Sequence, residues 1–471
     1  MTASALTPGD PHAVLSDDED WSADLIESEA QAEPSWLEPW LWGLGIFLLT
    51  SPFAYQLTGI DPGAQVERSM SSFRRSGGSG YLLYALRMAV ALASVVMVLP
   101  YWRHAMGRIY RMGPALLFLG WAVLSLTWSD AFLSSFNGIL ALLPLLVTGF
   151  CLALRLPPHL FARSFVYAGI WLAGFSAFYI VALPHFGVHQ ASDAFQAVHA
   201  GNWRGVYPHK NIFGGAAAVC ATLTILTGRD VVPSLKLKYA LLAVLLVMIV
   251  KSGSATALLI TAAAPMIALF FVTLTKAQRL VAALILFPLA VVGFVGISAI
   301  FEALGRDMTF TGRTDIWAYV PEAFARHPIT GYGFASTTYG DFMIKIFKAF
   351  GLFDPHNGYI NLLLSVGLVG LILFLASLYA VGRTARRLYV VDPQAGQGGL
   401  VVFGVVAAWL IACLSESQDK PLGTFAAFGF TALGLLVYRG LPVSRAVAED
   451  QDSGATPLRA SLPGTRARNA L

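Results

Sequence analysis

The sequence predicts an all-α polytopic membrane protein of about twelve transmembrane helices, with one large outward loop before helix 10. Three observations predict it. Of 471 residues, 56% are hydrophobic and 12% charged, with a mean hydropathy of +0.65, whereas soluble domains carry about 25% charged residues. The apolar residues gather in runs of about 17 or more, enough for a helix to cross hydrocarbon with its peptide groups satisfied. The short alternating segments of a transmembrane barrel are not seen.

In chain order, residues 1–35 come first. They carry DDED at Asp17 to Asp20 and no lysine or arginine, a composition that predicts a disordered acidic tail. DDED is a solvated charge run rather than a metal site. No cleavable leader is expected, because the first apolar run comes late and lacks a basic flank. The membrane domain spans 36–440, with runs centred near Leu48, Ala91, Trp121, Leu143, Leu172, Ala217, Val244, Ala263, Val291, Leu371, Val406 and Ala432. Those near Trp121 and Val244 are the shortest. Residues 441–471 form a second polar tail.

Lysine and arginine in short loops mark the cytoplasmic side. With both termini cytoplasmic, the inside loops hold Arg103, Arg108 and Arg111; Arg155 and Arg163; Arg229, Lys236 and Lys238; Lys276 and Arg279; and Arg383, Arg386 and Arg387. Arg68, Arg74 and Arg75 fall outside and are the misfit. Cys151, Cys220 and Cys413 lie within apolar runs, so no disulfide framework is expected. The net charge of +4 is spread over both faces, which gives no footing for nucleic acid.

Two outward loops are long, 184–210 and 301–357, and long loops on a compact scaffold usually carry function. In the second, TDIWAYVPEAFARHP sets Trp317, Val320 and Phe324 at helical spacing, and GYGF forces a turn at Gly331. GDFMIKIFKAFG then places Phe342, Met343, Ile346, Phe347 and Phe350 on one side and Lys345 and Lys348 on the other, as in a helix lying in the membrane interface.

The chemistry-bearing signal is DPHN, where the second loop meets the run near Leu371. Asp354 suits an N-cap, Pro355 the first helical position, and His356 and Asn357 the first turn. The positive end of the helix favours a neutral imidazole and Asp354 opposes it, so His356 is a candidate general base. The alternative is a histidine that only hydrogen-bonds its own helix start.

Cations share that face: Arg204, Lys210 with Asn211, Lys251 and Arg313. Cations beside hydrocarbon need an anionic partner, and a membrane-bound diphosphate would supply one. Arg313 could instead pair with Asp315, and Arg204 could be solvated. Arg87, about two turns from the outer face, is a weaker candidate that could snorkel. His185, His189, His199 and His209 crowd the first loop, the first two at i, i+4 spacing. No third ligand falls at a convincing interval, so no metal and no other cofactor is expected. His209 stays a weak substrate-binding candidate.

WRGVYPHKNIFGG, GRTDIWAYVPEAFARHPITGYGF and DPHNGYINLLLSVGLVGLILF, in this order and spacing over about residues 200–380, resemble the O-antigen ligase and polymerase superfamily, in particular its Wzy-type exopolysaccharide repeat-unit polymerases. The resemblance implies a metal-independent inverting glycosyltransferase of the bacterial inner membrane, acting on undecaprenyl-diphosphate-linked glycan donor and acceptor, with 184–210 and 301–357 as periplasmic loops. It implies His356 as the base activating the acceptor hydroxyl, and Arg313 and Arg204 at the donor diphosphate. Chain-length regulators or flippases are its possible partners. One departure is SGSATALL: ligases of the superfamily often carry arginine after the serine, where this chain has Ala255, which weighs against a lipid A-core ligase. Lys251 or Arg204 could supply that charge. From another class, a glycan transporter would instead use mid-membrane sites on interrupted helices, with related halves.

Overall fold

A computed structural model describes residues 34–51, 79–193, 197–275, 277–282, 316–336, 355, 357–391, 393–415 and 424–439. The tails, the run near Val291, the amphipathic stretch 341–350 and Arg68, Arg74, Arg75, Arg313, Asp315, Asp354 and His356 lie outside these residues.

The described chain is helical and contains no strand. The main helices are α1 (Glu38–Thr50), α2 (Ser79–Val98), α3 (Gly113–Leu124), α4 (Phe132–Arg155), α5 (Pro158–Ala182), α6 (Lys210–Leu226), α7 (Leu235–Ser252), α8 (Ala255–Thr273), α9 (Val320–Arg326), α10 (Gly358–Val391), α11 (Pro393–Ser415) and α12 (Thr424–Ala432). Among the described residues, seven helical stretches are long and apolar enough to cross a bilayer, from Leu82–Tyr101 to Gly396–Leu414. The chain is a multi-pass membrane protein.

Burial sorts these helices into centre and rim. The spans of α11 and α4 are 78% and 72% buried, those of α2 and α8 only 28% and 33%, so the first pair forms the core and the second faces lipid. Close approach at the centre needs glycine: a Cβ on Gly434 would stand 2.0 Å from the carbonyl oxygen of Gly149 in α4. Without a hydrophobic drive in lipid, such small-residue contacts let helices gain dispersion. Phe118, Phe374, Trp409 and Phe430 cluster around this centre with ring centroids 5.1 to 6.4 Å apart; Phe374, Trp409 and Phe430 meet edge on face and Phe118 stacks on Phe430.

One end of the bundle is tied by cations to helix ends. Arg155 pairs with Glu38 at 2.6 Å, Arg163 donates to the carbonyls of Asp230 and Val231, and Lys238 donates to the Thr227 carbonyl just past α6. Of these, Arg155 in the last turn of α4 and Lys238 at the end of α6 meet the negative pole of a helix. Because α4 and α5 join at this end, their other ends carry the 183–210 loop and the 327–336 turn together.

Candidate functional site

The 183–210 loop folds around a buried arginine. Arg204 is fully buried, and its guanidinium donates from Nε to the Phe186 carbonyl at 2.9 Å, from Nη1 to Asp193 Oδ2 at 2.9 Å and from Nη2 to the His185 carbonyl at 2.8 Å. The peptide N–H groups of Arg204 and Gly205 both reach the Gly187 carbonyl at 2.9 Å, which turns the chain back on itself. Asp193 Oδ2 also takes the Nδ1 proton of His189 at 3.0 Å. The tautomer follows from the other nitrogen, because Nε2 accepts the Lys210 N–H at 3.1 Å. Arg204, Asp193, His189 and the first turn of α6 therefore form one satisfied buried network, of the kind that fixes a unique loop shape.

His209 caps α6, its Nδ1 accepting the Asn211 N–H at 3.1 Å. The rings of His189, His199 and His209 gather with centroids 5.2 to 5.7 Å apart. The sequence spacing paired His185 with His189, and the structure does not: His185 is exposed beyond the turn at Gly187. Burial and neighbouring positive charge push His209 down to about 3, and burial lowers His189 and His199 as well. All three imidazoles are neutral bases by environment. Among the described residues no group of three or more His, Cys, Asp or Glu is set to hold a metal.

The other cations of this end flank the network. Lys210 Nζ donates to the Gly253 carbonyl at 3.0 Å. Lys251, exposed at the end of α7, holds its ammonium 6.0 Å from the Trp203 ring centroid, and the Trp203 N–H donates to the Lys251 carbonyl at 3.0 Å. Ser254 caps α8 through the Ala257 N–H, which leaves Ala255 as an exposed first helical residue. Arg87 is 1% exposed, so its guanidinium stays inside the protein and does not snorkel.

The second cluster surrounds a break in α10. At Gly367 the backbone leaves the helix, with φ 64° and ψ −169°, and the bonds that Leu368 and Val369 would make to Leu364 and Ser365 are lost. The 327–336 turn replaces all four partners. Tyr332 N–H donates to the Leu364 carbonyl at 2.8 Å and Gly333 N–H to Ser365 at 2.9 Å, while Leu368 N–H donates to Pro328 at 3.0 Å and Val369 N–H to Ile329 at 3.3 Å. Trp121 Nε1–H donates to the Val366 carbonyl at 2.9 Å. Non-helical backbone in a membrane span needs such partners from protein. The expected turn at Gly331 is present, with φ 69°, and it is the piece that fills the break.

Around this joint, Ile316, Ala323, Tyr332 and Leu364 form a buried core, with Trp317, Val320, Phe324 and Ile360 packed on it. Trp317, Val320 and Phe324 thus share one packed face as expected, although only Val320 and Phe324 lie in α9 and a turn at 318–319 separates Trp317 from it. Trp317 Nε1 donates to the carbonyl of Pro355 at 3.0 Å, which ties the stretch following Arg313 to the stretch preceding position 356.

The start of α10 corrects the expected punctuation. Asp354 and Pro355 were expected as cap and first helical residue; instead α10 begins at Gly358 and Asn357 is the cap, its Oδ1 accepting from Tyr359 at 3.0 Å and Ile360 at 3.1 Å. The reason is competition for two groups. A helical Pro355 carbonyl would take the Tyr359 N–H, but Trp317 occupies that carbonyl and Asn357 takes the N–H. Asparagine caps as well as aspartate does.

Sequence reasoning passed over Asp193 and Gly367. Asp193 had a signal, its i, i+4 spacing from His189. Gly367 had none, since one glycine in an apolar run is ordinary in membrane helices.

Residues 240–375 match the family described as O-Antigen ligase (Wzy_C). The chain is also 30% identical over 157 residues, 31% of its length, to the exopolysaccharide production protein ExoQ of Rhizobium meliloti (strain 1021). That match spans 35% of ExoQ, about a third of the relative. The family match takes in most of α7, α8, the 316–336 segment, the Asn357 cap and the break at Gly367, so the likeness to O-antigen ligases lies in the part of the chain that carries the second cluster.

Proposed function

We propose that the protein is a glycosyltransferase of the bacterial inner membrane that joins undecaprenyl-diphosphate-linked oligosaccharide repeat units into an exopolysaccharide or O-antigen at the periplasmic face, with both termini in the cytoplasm. The observation that carries this reading is the Trp317 to Pro355 hydrogen bond. It supports a site in which Arg313, four residues before Trp317, and His356, next to Pro355, act on one substrate.

His356 takes the proton of the acceptor hydroxyl, and the oxygen attacks the anomeric carbon of the donor chain. The glycosidic bond to the carrier breaks with inversion, and undecaprenyl diphosphate leaves with its charge held by Arg313 and, from the first turn of α6, by Lys210 and Asn211. Asn357, as the helix cap, fixes the backbone that carries position 356. Arg204 acts through the loop it folds, because its guanidinium binds Asp193 and two carbonyls. Holding both lipids side by side removes several kcal/mol of orientational cost, on the order of the entropy of a bimolecular encounter.

In cells, His356→Ala and Arg313→Ala should each abolish polymer and leave lipid-linked single repeats to accumulate. Normal polymer from both would refute the site. The family description favours a second reading, a ligase that moves the glycan to lipid A-core or another acceptor; a deletion strain that still builds long chains on the lipid carrier would establish it. A transporter would use the break at Gly367 as its site, yet the peptide groups freed there are bound by the 327–336 turn.

A further inference from the structure

A groove enclosing about 330 Å³ runs between α5 and α7, lined by Ala177, Val181, Trp203, Val244, Val247 and Met248 with wholly apolar surface. Val244, Val247 and Lys251 lie on one stripe of α7, at i, i+3 and i+7. The stripe ends at the loop-bearing face, where the Trp203 ring closes the groove and the Lys251 ammonium stands 6.0 Å from that ring. Lys251 is exposed, and among the described residues it enters no ion pair. A cation at the rim of hydrocarbon seeks an anion, and a tryptophan beside it marks the headgroup level.

We propose that this groove binds an anionic glycerophospholipid, with one acyl chain along α5 and α7 and the headgroup phosphate on Lys251. The shape fits a chain and the Lys251 ammonium fits a headgroup of net negative charge, whereas a zwitterionic lipid would bring a cation of its own. The groove lies on the α5 and α7 side of the bundle, whereas α9 and the 327–336 turn pack on α10; only its headgroup end comes near the first turn of α6, where Lys210 bonds the Gly253 carbonyl. The assigned occupant is a resident lipid that braces the 183–210 loop through Trp203, with the polyprenyl carrier as the competitor that the test sets against it.

The test uses the full chain in nanodiscs of defined composition, followed by native mass spectrometry of retained lipid. Phosphatidylglycerol should stay bound where phosphatidylcholine is lost. Lys251→Gln should weaken its retention about fivefold, the effect of one cation near an anionic surface. Val247→Trp and, separately, Val244→Trp should abolish it by filling the groove; both positions face lipid, at 51% and 43% exposure, and the unfolding midpoint checks that they fold. Equal retention of phosphatidylcholine, or unchanged retention in all three variants, overturns the proposal. So does undecaprenyl phosphate displacing phosphatidylglycerol at equal concentration. Loss of polymerisation in His356→Ala bears on neither result, so this lipid site and the proposed reaction fail separately.

Discussion

The 183–210 loop is held by side chains, the 327–336 turn by peptide groups. In the first, Arg204, Asp193 and His189 are buried, and the fold of the loop hangs on one carboxylate that receives three donors, from Arg204, His189 and the Gln190 N–H. In the second, four backbone bonds bridge the break in α10, and Phe334 reaches into the bundle with its ring 6.0 Å from Phe118. Charge makes the first joint strong but exposes it to proton concentration. Geometry makes the second indifferent to pH but intolerant of any added atom.

The largest effect should come from that geometry. A Cβ at Gly367 would stand 2.2 Å from the Ile329 carbonyl oxygen, on a backbone with φ 64°. Gly367→Ala should therefore cost more than about 4 kcal/mol, read as failure to accumulate in the membrane or a large fall in the unfolding midpoint. A stable Gly367→Ala protein would show that the turn does not fill the break.

Asp193→Ala comes next. It strands a buried guanidinium, and breaking such a pair costs about 3–5 kcal/mol. The double variant with Arg204→Met should recover part of this, because an apolar pair of similar volume can replace a buried ion pair. Failure to recover would mean that the two carbonyl bonds of Arg204, rather than its charge, hold the loop.

Trp317→Phe should cost about 1–3 kcal/mol, by leaving the buried Pro355 carbonyl without its donor. If His356 is the base, the same change should lower turnover more than substrate affinity, since it loosens the backbone next to position 356 and removes no substrate contact.

The smallest effect is a pH dependence confined to the 183–210 loop. His189, His199 and His209 are lowered in the folded protein. Above the unfolded value of about 6.5 both states are neutral and nothing changes. As pH falls below 6.5 the unfolded loop takes up protons and the folded loop does not, so its stability declines, for His209 down to its folded value of about 3. Hydrogen exchange should show the 183–210 amides losing protection between pH 7 and 5 while Tyr332, Gly333, Leu368 and Val369 keep theirs. Parallel loss in both would erase the distinction.

Helical class, membrane residence and most helix positions were legible in the sequence. Described helices lie at eleven of the twelve expected centres, all but that near Val291. Hydropathy is a local sum, and a run of apolar residues in lipid has few alternatives to a helix. The crowding of cations and histidines toward the loop-bearing end was legible for the same reason, since each is a local departure from apolar composition.

Partnership was not legible. Nothing local distinguishes Arg204 on Asp193 from Arg204 on a substrate, or Asn357 as the cap from Asp354, because each choice depends on a competitor brought in by the fold: the Gly187 turn in one case, Trp317 in the other. The break at Gly367 is the clearest instance. Along the chain, LLLSVGLVGLIL is an unbroken apolar run and fixes only that a span exists; opening that span costs several hydrogen bonds unless a segment some 35 positions earlier delivers replacements. Whether those peptide groups arrive is a property of the assembled bundle, and only the tertiary structure decided it.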